Sequence, residues 1–215
     1  MTLVKYLALA AFLAINLCEI EAHGRLMDPV NRSSAWRRGF NVSTNFNDAG
    51  NYCGGFGVQY NKQNKGRCGV CGDDFSLPQP RANENGGKFG KGIIVKTYRA
   101  RSKIKVDVEL TANHKGYYEF ALCPLKDKKQ LETEECFDMY KLKLVNGGYQ
   151  YKVTAGKLGH EYIPLQLPAG LTCNHCVLRW QYTAGNNWGI CPDGKGRVGC
   201  GPQETFRTCS DIEIQ

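Results

Sequence analysis

Beyond residue 92 the chain alternates apolar and polar positions in short runs broken by turn residues. The clearest run is 103–111 (KIKVDVELT), where Ile104, Val106, Val108 and Leu110 fall on one side and mostly charged residues on the other. That period of two is the mark of a half-buried strand. Six further runs have strand character: 92–98 (GIIVKTY), 116–123 (GYYEFALC), 149–153 (YQYKV), 160–167 (HEYIPLQL), 176–182 (CVLRWQY) and 206–214 (FRTCSDIEI). The charged segment 126–135 (KDKKQLETEE) reads as one helical turn or as a loop. About seven short strands at regular spacing, with no long helical pattern, predict an all-β chain folded as a β-sandwich.

Residues 23–92 have another texture, rich in Gly, Asn, Pro and Arg and almost without periodicity. An irregular region of that length is uncommon unless it serves a site or is stapled, and Cys53, Cys68 and Cys71 can supply staples. Residues 1–22 read as a secretory signal: Lys5, then an apolar run from Tyr6 to Leu17, then a small residue, Ala22, at the cleavage position. The run is about 12 residues, against the roughly 20 that span a bilayer. The expected product is therefore secreted, with a single domain over residues 23–215, no membrane anchor and a monomeric state.

Of the 11 cysteines, Cys18 falls in the signal. An even remainder in an exported chain implies a disulfide framework whose pairing the sequence leaves open. Cys68-Gly-Val-Cys71 and Cys173-Asn-His-Cys176 have the spacing of zinc ligands, but the pairs lie far apart and an oxidising compartment favours disulfides. Asn31 and Asn41 each open an Asn-X-Ser acceptor for glycosylation. The net charge of +8 is spread along the chain rather than gathered in a stripe, which speaks against nucleic acid as a partner.

Candidate chemistry centres on histidine. Trp180 and Trp188 read as core or framework residues, His175 as surface decoration, and His160 as a strand residue with no evident partner. His114 stands where a strand gives way to a turn, a rim position that exposes an imidazole. Cleavage after Ala22 would make His23 the first residue, with a free α-amino group beside its ring. That amine has a reference pKa near 7.7–8.0, so it loses its proton at modest cost to a metal. Amine, ring and one further imidazole form a three-nitrogen set that suits copper.

Ordered motifs then run through residues 23–211: HGRLMDPVNRSSAW from His23, NYCGG from Asn51, CGVCGD from Cys68, TANH ending at His114, CVLRWQYTAGNNW from Cys176 and QETFRTCSD from Gln203. With these the chain resembles lytic polysaccharide monooxygenases, most of all the largely arthropod auxiliary activity family fifteen, and is similar to chitin-binding type-4 domains. The resemblance implies an immunoglobulin/fibronectin-like β-sandwich with long disulfide-stapled loops and one copper ion in a histidine brace of His23 and His114. It places Phe206 as a non-coordinating axial neighbour and Ala112 as the small residue crowding the same region. Glu204, two residues before Phe206, becomes a candidate catalytic carboxylate, or else a solvent-facing one. Tyr52 and Trp36 are candidates for stacking on sugar rings, although Tyr52 could instead pack beside Cys53. Implied partners are crystalline chitin, preferred, or cellulose, together with a small-molecule or protein reductant and O₂ or H₂O₂ as co-substrate. A non-catalytic secreted chitin-binding or cuticle matrix protein is the alternative.

Overall fold

The structure, a computed structural model, describes residues 23–215; the expected signal lies outside them. Two sheets face each other. One carries β1 (His23–Asp28), β3 (Lys103–Ala112), β7 (Gly159–Gln166) and β5 (Lys143–Leu144) in the order β1-β3-β7-β5. The other carries β2 (Lys96–Tyr98), β4 (Tyr117–Pro124), β6 (Tyr151–Lys152), β8 (Cys173–Thr183) and β11 (Thr205–Ile214) in the order β2-β11-β8-β4-β6. The alternation in β3 does what its pattern predicts, sending Ile104, Val106, Val108 and Leu110 inward. They meet Trp180, Tyr118, Tyr182 and Phe206 from the second sheet in one continuous core, the packing expected of a sandwich.

Several elements depart from the expectations. The run 92–98 forms a strand only over Lys96–Tyr98, where it pairs in parallel with the end of β11. Of the charged segment, only the end becomes helical, as α2 (Glu134–Met139), capped by the Thr133 side chain; α1 (Phe56–Gln59) is a single turn in the irregular region. A two-stranded hairpin of β9 (Trp188–Ile190) and β10 (Gly196–Val198) stands apart from both sheets. Trp180 is buried, but Trp188 is 65% exposed on that hairpin, which corrects its assignment to the core.

The irregular region is held by covalent and ionic staples. Disulfides join Cys53–Cys68, Cys71–Cys209, Cys123–Cys136, Cys173–Cys176 and Cys191–Cys200. The two CxxC motifs thus resolve differently: one pair bonds internally, and the other divides between separate partners. A 3-10 helix (Arg32–Arg38) follows β1, and Asn31 caps it. The Asn31 amide donates to the Leu26 carbonyl (2.8 Å) and the Ser34 hydroxyl (2.9 Å), and the residue is fully buried. A glycan on Asn31 is incompatible with this packing, whereas Asn41 is exposed.

Arg32 is the ionic staple. Its guanidinium is buried and donates to Asp211 on β11 (2.6 and 2.9 Å), to Glu132 (2.5 Å) and to the Asn83 carbonyl (2.8 Å). A charge this deep is tolerable because each of its three nitrogens has a partner and two carboxylates face it. Burial alone would raise the Asp211 pKa, but Arg32 and His175 outweigh it and hold the carboxyl at about 2. An unfolded aspartate titrates near 3.9, so the depressed folded value contributes stability that is complete above about pH 4 and is lost as pH falls toward 2. The gap corresponds to about 2–3 kcal/mol. Urea unfolding at pH 6 and pH 2.5 should show this loss in the native chain and a smaller pH-dependent loss in Asp211→Asn; equal losses in both would contradict the linkage.

Candidate active site

His23 opens β1 and lies opposite Ala112, the last residue of β3. Thr111 Oγ1 donates to the His23 carbonyl at 3.1 Å and ties down this end of the strand. β1 comes close to the core because residue 24 lacks a side chain: a Cβ on Gly24 would lie 3.0 Å from Trp180 Cη2. Beyond Ala112 the chain turns through Lys115 and Gly116, both at positive φ. A Cβ on Gly116 would stand 2.0 Å from the Thr183 carbonyl oxygen, so this turn onto β8 needs glycine.

The turn presents His114. Its backbone N–H donates to the Tyr182 hydroxyl at 2.9 Å, and its carbonyl accepts from the Gly185 N–H at 2.8 Å. On the ring, the Asn186 side-chain amide meets Nδ1 at 3.0 Å, and Glu204 Oε2 lies 3.8 Å from the same nitrogen. The oxygen and nitrogen of an Asn amide are assigned from hydrogen bonding. Asn186 Nδ2 is the atom placed toward the ring; exchanging it for the amide oxygen would put the proton on Nδ1 and the lone pair on Nε2.

Glu204 sits one residue ahead of β11, and its carbonyl accepts from Ala184 N–H at 3.0 Å, so the extended backbone continues through it. It is only 8% exposed, which rules out the solvent-facing alternative. Phe206 is completely buried and stacks on Tyr182, with centroids 5.6 Å apart. Tyr52 is half-buried and bridges the two sides, edge-on to His23 at 6.3 Å and tilted against Phe206 at 6.2 Å. Trp36 is carried elsewhere: it packs on Phe46 and Arg37, and its Nε1 donates to the Asn45 carbonyl. Its link to β1 is indirect, through Arg37, Asp48 and Arg25.

The other two histidines acquire partners from distant strands. His160 Nδ1 lies 2.9 Å from Asp107, and His175 Nε2 lies 2.8 Å from Asp211. Both correct the expectation of an unpartnered or merely decorative residue. A further cluster, Cys71, Glu132 and Cys209, is close enough to resemble a metal site. Its sulfurs are bonded to each other and offer no thiolate. Two imidazoles at one end of the sandwich, with the apolar Phe206 near by, are a donor set that fits a nitrogen-bound copper ion.

A family model described as lytic polysaccharide mono-oxygenase, cellulose-degrading, matches residues 23–212. The chain belongs to the lytic polysaccharide monooxygenase family. It is similar to a lytic polysaccharide monooxygenase AA15 from Thermobia domestica in the Cu(I) state, with 49% identity over 89% of this chain and 98% of that one and a TM-score of 0.87. LPMO10B from Micromonospora aurantiaca shares 14% identity over 89% of this chain and 99% of its own, with a TM-score of 0.46. No curated protein matches. As a lytic polysaccharide monooxygenase the chain is a copper-dependent oxidoreductase acting on polysaccharide, and the non-catalytic matrix protein gives way to that.

Burial, together with the nearby Glu204 and Glu161 carboxylates, pushes the Tyr182 phenol up to about 12, so it stays protonated and available to accept from the His114 N–H. Tyr182→Phe removes that acceptor and leaves a part-buried donor unsatisfied, which costs about 1–2 kcal/mol. Urea denaturation should show that loss; a change below about 0.5 kcal/mol, the size of an ordinary surface substitution, would mean that the bond does not anchor the turn.

Proposed function

We propose that the protein is a secreted monooxygenase that holds one copper ion through the amino group and ring of His23 and the ring of His114, and that it cleaves β-1,4-linked polysaccharide, chitin in preference to cellulose. The observation that carries the reading is the register that sets His23 opposite Ala112, with His114 two residues further on. Removal of the segment ending at Ala22 would create the amine, and the family match begins at the same His23. Five disulfides and the exposed Asn41 acceptor fit an exported chain. When bound, copper supplies one-electron redox chemistry toward O₂ or H₂O₂, driven by an external reductant.

The remaining work falls to the chain. Phe206 closes the floor with carbon and offers no oxygen ligand, which keeps the donor set to nitrogen. Ala112, opposite His23, adds little bulk there. Glu204 Oε2, shielded from bulk water, can hold a proton or a hydrogen bond next to His114. Tyr52 buttresses His23 from the side and has only part of its ring left for a sugar.

The β9–β10 hairpin supplies the substrate surface that the sequence did not single out. Asn186 at its root touches the His114 ring, and Asn187 exchanges hydrogen bonds with Gln203, the neighbour of Glu204. The cross-strand pairs Trp188–Val198 and Ile190–Gly196 put Trp188, Ile190 and Val198 on one face, at 65%, 57% and 59% exposure. The Trp188 ring crosses to Gly196, where a Cβ would come within 2.3 Å of it. A flat apolar face fastened beside the histidines suits the C–H faces of pyranose rings in a crystalline surface. The resemblance to chitin-binding type-4 domains supports chitin as that surface.

The test is product analysis on chitin and cellulose side by side, with the chain beginning at His23, copper and ascorbate. Aldonic or C4-keto oligosaccharides should be released, more from chitin, and His114→Ala should release none. Trp188→Ala should keep copper affinity and lower release by about three- to tenfold, the worth of one aromatic stack. Binding to chitin without oxidised products from copper-loaded protein would overturn the reading.

A further inference from the structure

A cavity of about 550 Å³ opens at the end of the sandwich opposite the histidine pair. β8 runs from His175 in its wall to Thr183 beside the His114 turn, roughly 25 Å at about 3.3 Å per residue. The two places share no residue. The volume lies in the range of small-molecule sites, and the lining residues are mostly polar, with a small apolar patch. Ile94 and Leu125 supply the apolar lining.

The charge of the lining is net positive. Lys91, Lys126 and Lys128 line the opening and are exposed. Asp127, the one carboxylate in the lining, accepts the Lys129 backbone N–H at 2.8 Å and so serves its own loop. A concave surface lined by one sign of charge concentrates the opposite sign. The inner wall is firm: the Cys173–Cys176 disulfide brackets Asn174 and His175, and Asp211, held by Arg32, grips His175 Nε2. Gly92 lies in this wall at φ +65°, a backbone conformation that side-chain-bearing residues rarely adopt.

We propose that this cavity binds a sugar acid, a hexuronate unit whose carboxylate meets the lysines while its ring lies on Ile94 and Leu125. Ammonium groups act as point charges for a carboxylate, and the apolar lining matches the C–H face of a sugar ring better than it matches a bare inorganic anion. Asn174 and His175 face the hydroxyls. The site does not depend on copper, so it stands or falls separately from the histidine brace.

The test titrates copper-free protein with sodium glucuronate, with a tetrameric polyuronate and with glucose, following backbone amide signals by NMR. Saturable shifts at residues 85–94, 125–128 and 174–175 are expected with the acids and not with glucose, and they should weaken as NaCl rises. Lys126→Glu with Lys128→Glu should weaken binding by about tenfold or more. Lys103→Glu with Lys105→Glu, an equal change of charge on exposed β3 positions, should leave it unchanged, as should His114→Ala. Binding of the monomer marks a site for free sugar acids, and binding of the tetramer alone marks one for an acidic polymer. Binding of neither, equal shifts with glucose, or equal weakening by the β3 pair would overturn the proposal.

Discussion

Everything at the histidine end of the sandwich depends on how β1 lies along β3. β1 is an edge strand with a single partner, and its first residue is also the first to pair. A slip of one residue would turn every side chain of the strand to the opposite face. Leu26, fully buried against the core, sets the register from within, and Gly24 lets the strand approach Trp180. Arg25 sets it from outside by bonding Glu109, its cross-strand partner, and Asp48. His23 lands beside the His114 turn because these contacts leave it nowhere else to go.

The exit of β1 is secured in the same way. The chain leaves the sheet at Asp28, which pairs with Lys96, and Arg32 then plunges into the buried carboxylates of Asp211 and Glu132. Asp211 lies on the strand that begins with Thr205 and Phe206, so one guanidinium couples the loop after β1 to the strand beneath the histidines. The Cys71–Cys209 disulfide runs parallel to this link, two residues away on β11. Long irregular segments normally cost conformational entropy; here crosslinks reduce that cost and let the loops serve as rigid supports for a site.

The legible parts of the fold were short segments whose own residues carry the signal, alternating burial in β3 and β7 and strand-forming runs buried almost throughout in β4, β8 and β11. β1 was hidden because HGRLMD shows no clean alternation: one of its three buried positions is Gly24, which has no side chain to signal it. Trp188 was misjudged for the opposite reason, since the apolar alternation of a hairpin looks the same whether its face meets a core or water. The partners of His160 and His175 arrive from 53 and 36 residues away, and Asn31 is buried by a cap made with its own loop. None of these is a property of local sequence. His23 and His114 could be named through the family resemblance, to which a chain end and a strand end lent only local support; what brings them to one end of the sandwich is register.

The account rests on His23 being a two-nitrogen ligand. The most direct measurement is copper affinity by calorimetry for a chain beginning at His23 and for one retaining Ala22, whose amide nitrogen then replaces the amine. The account predicts tight one-to-one binding in the first and a loss of most of that affinity in the second, with unchanged circular dichroism. Equal affinity in the two chains would contradict it.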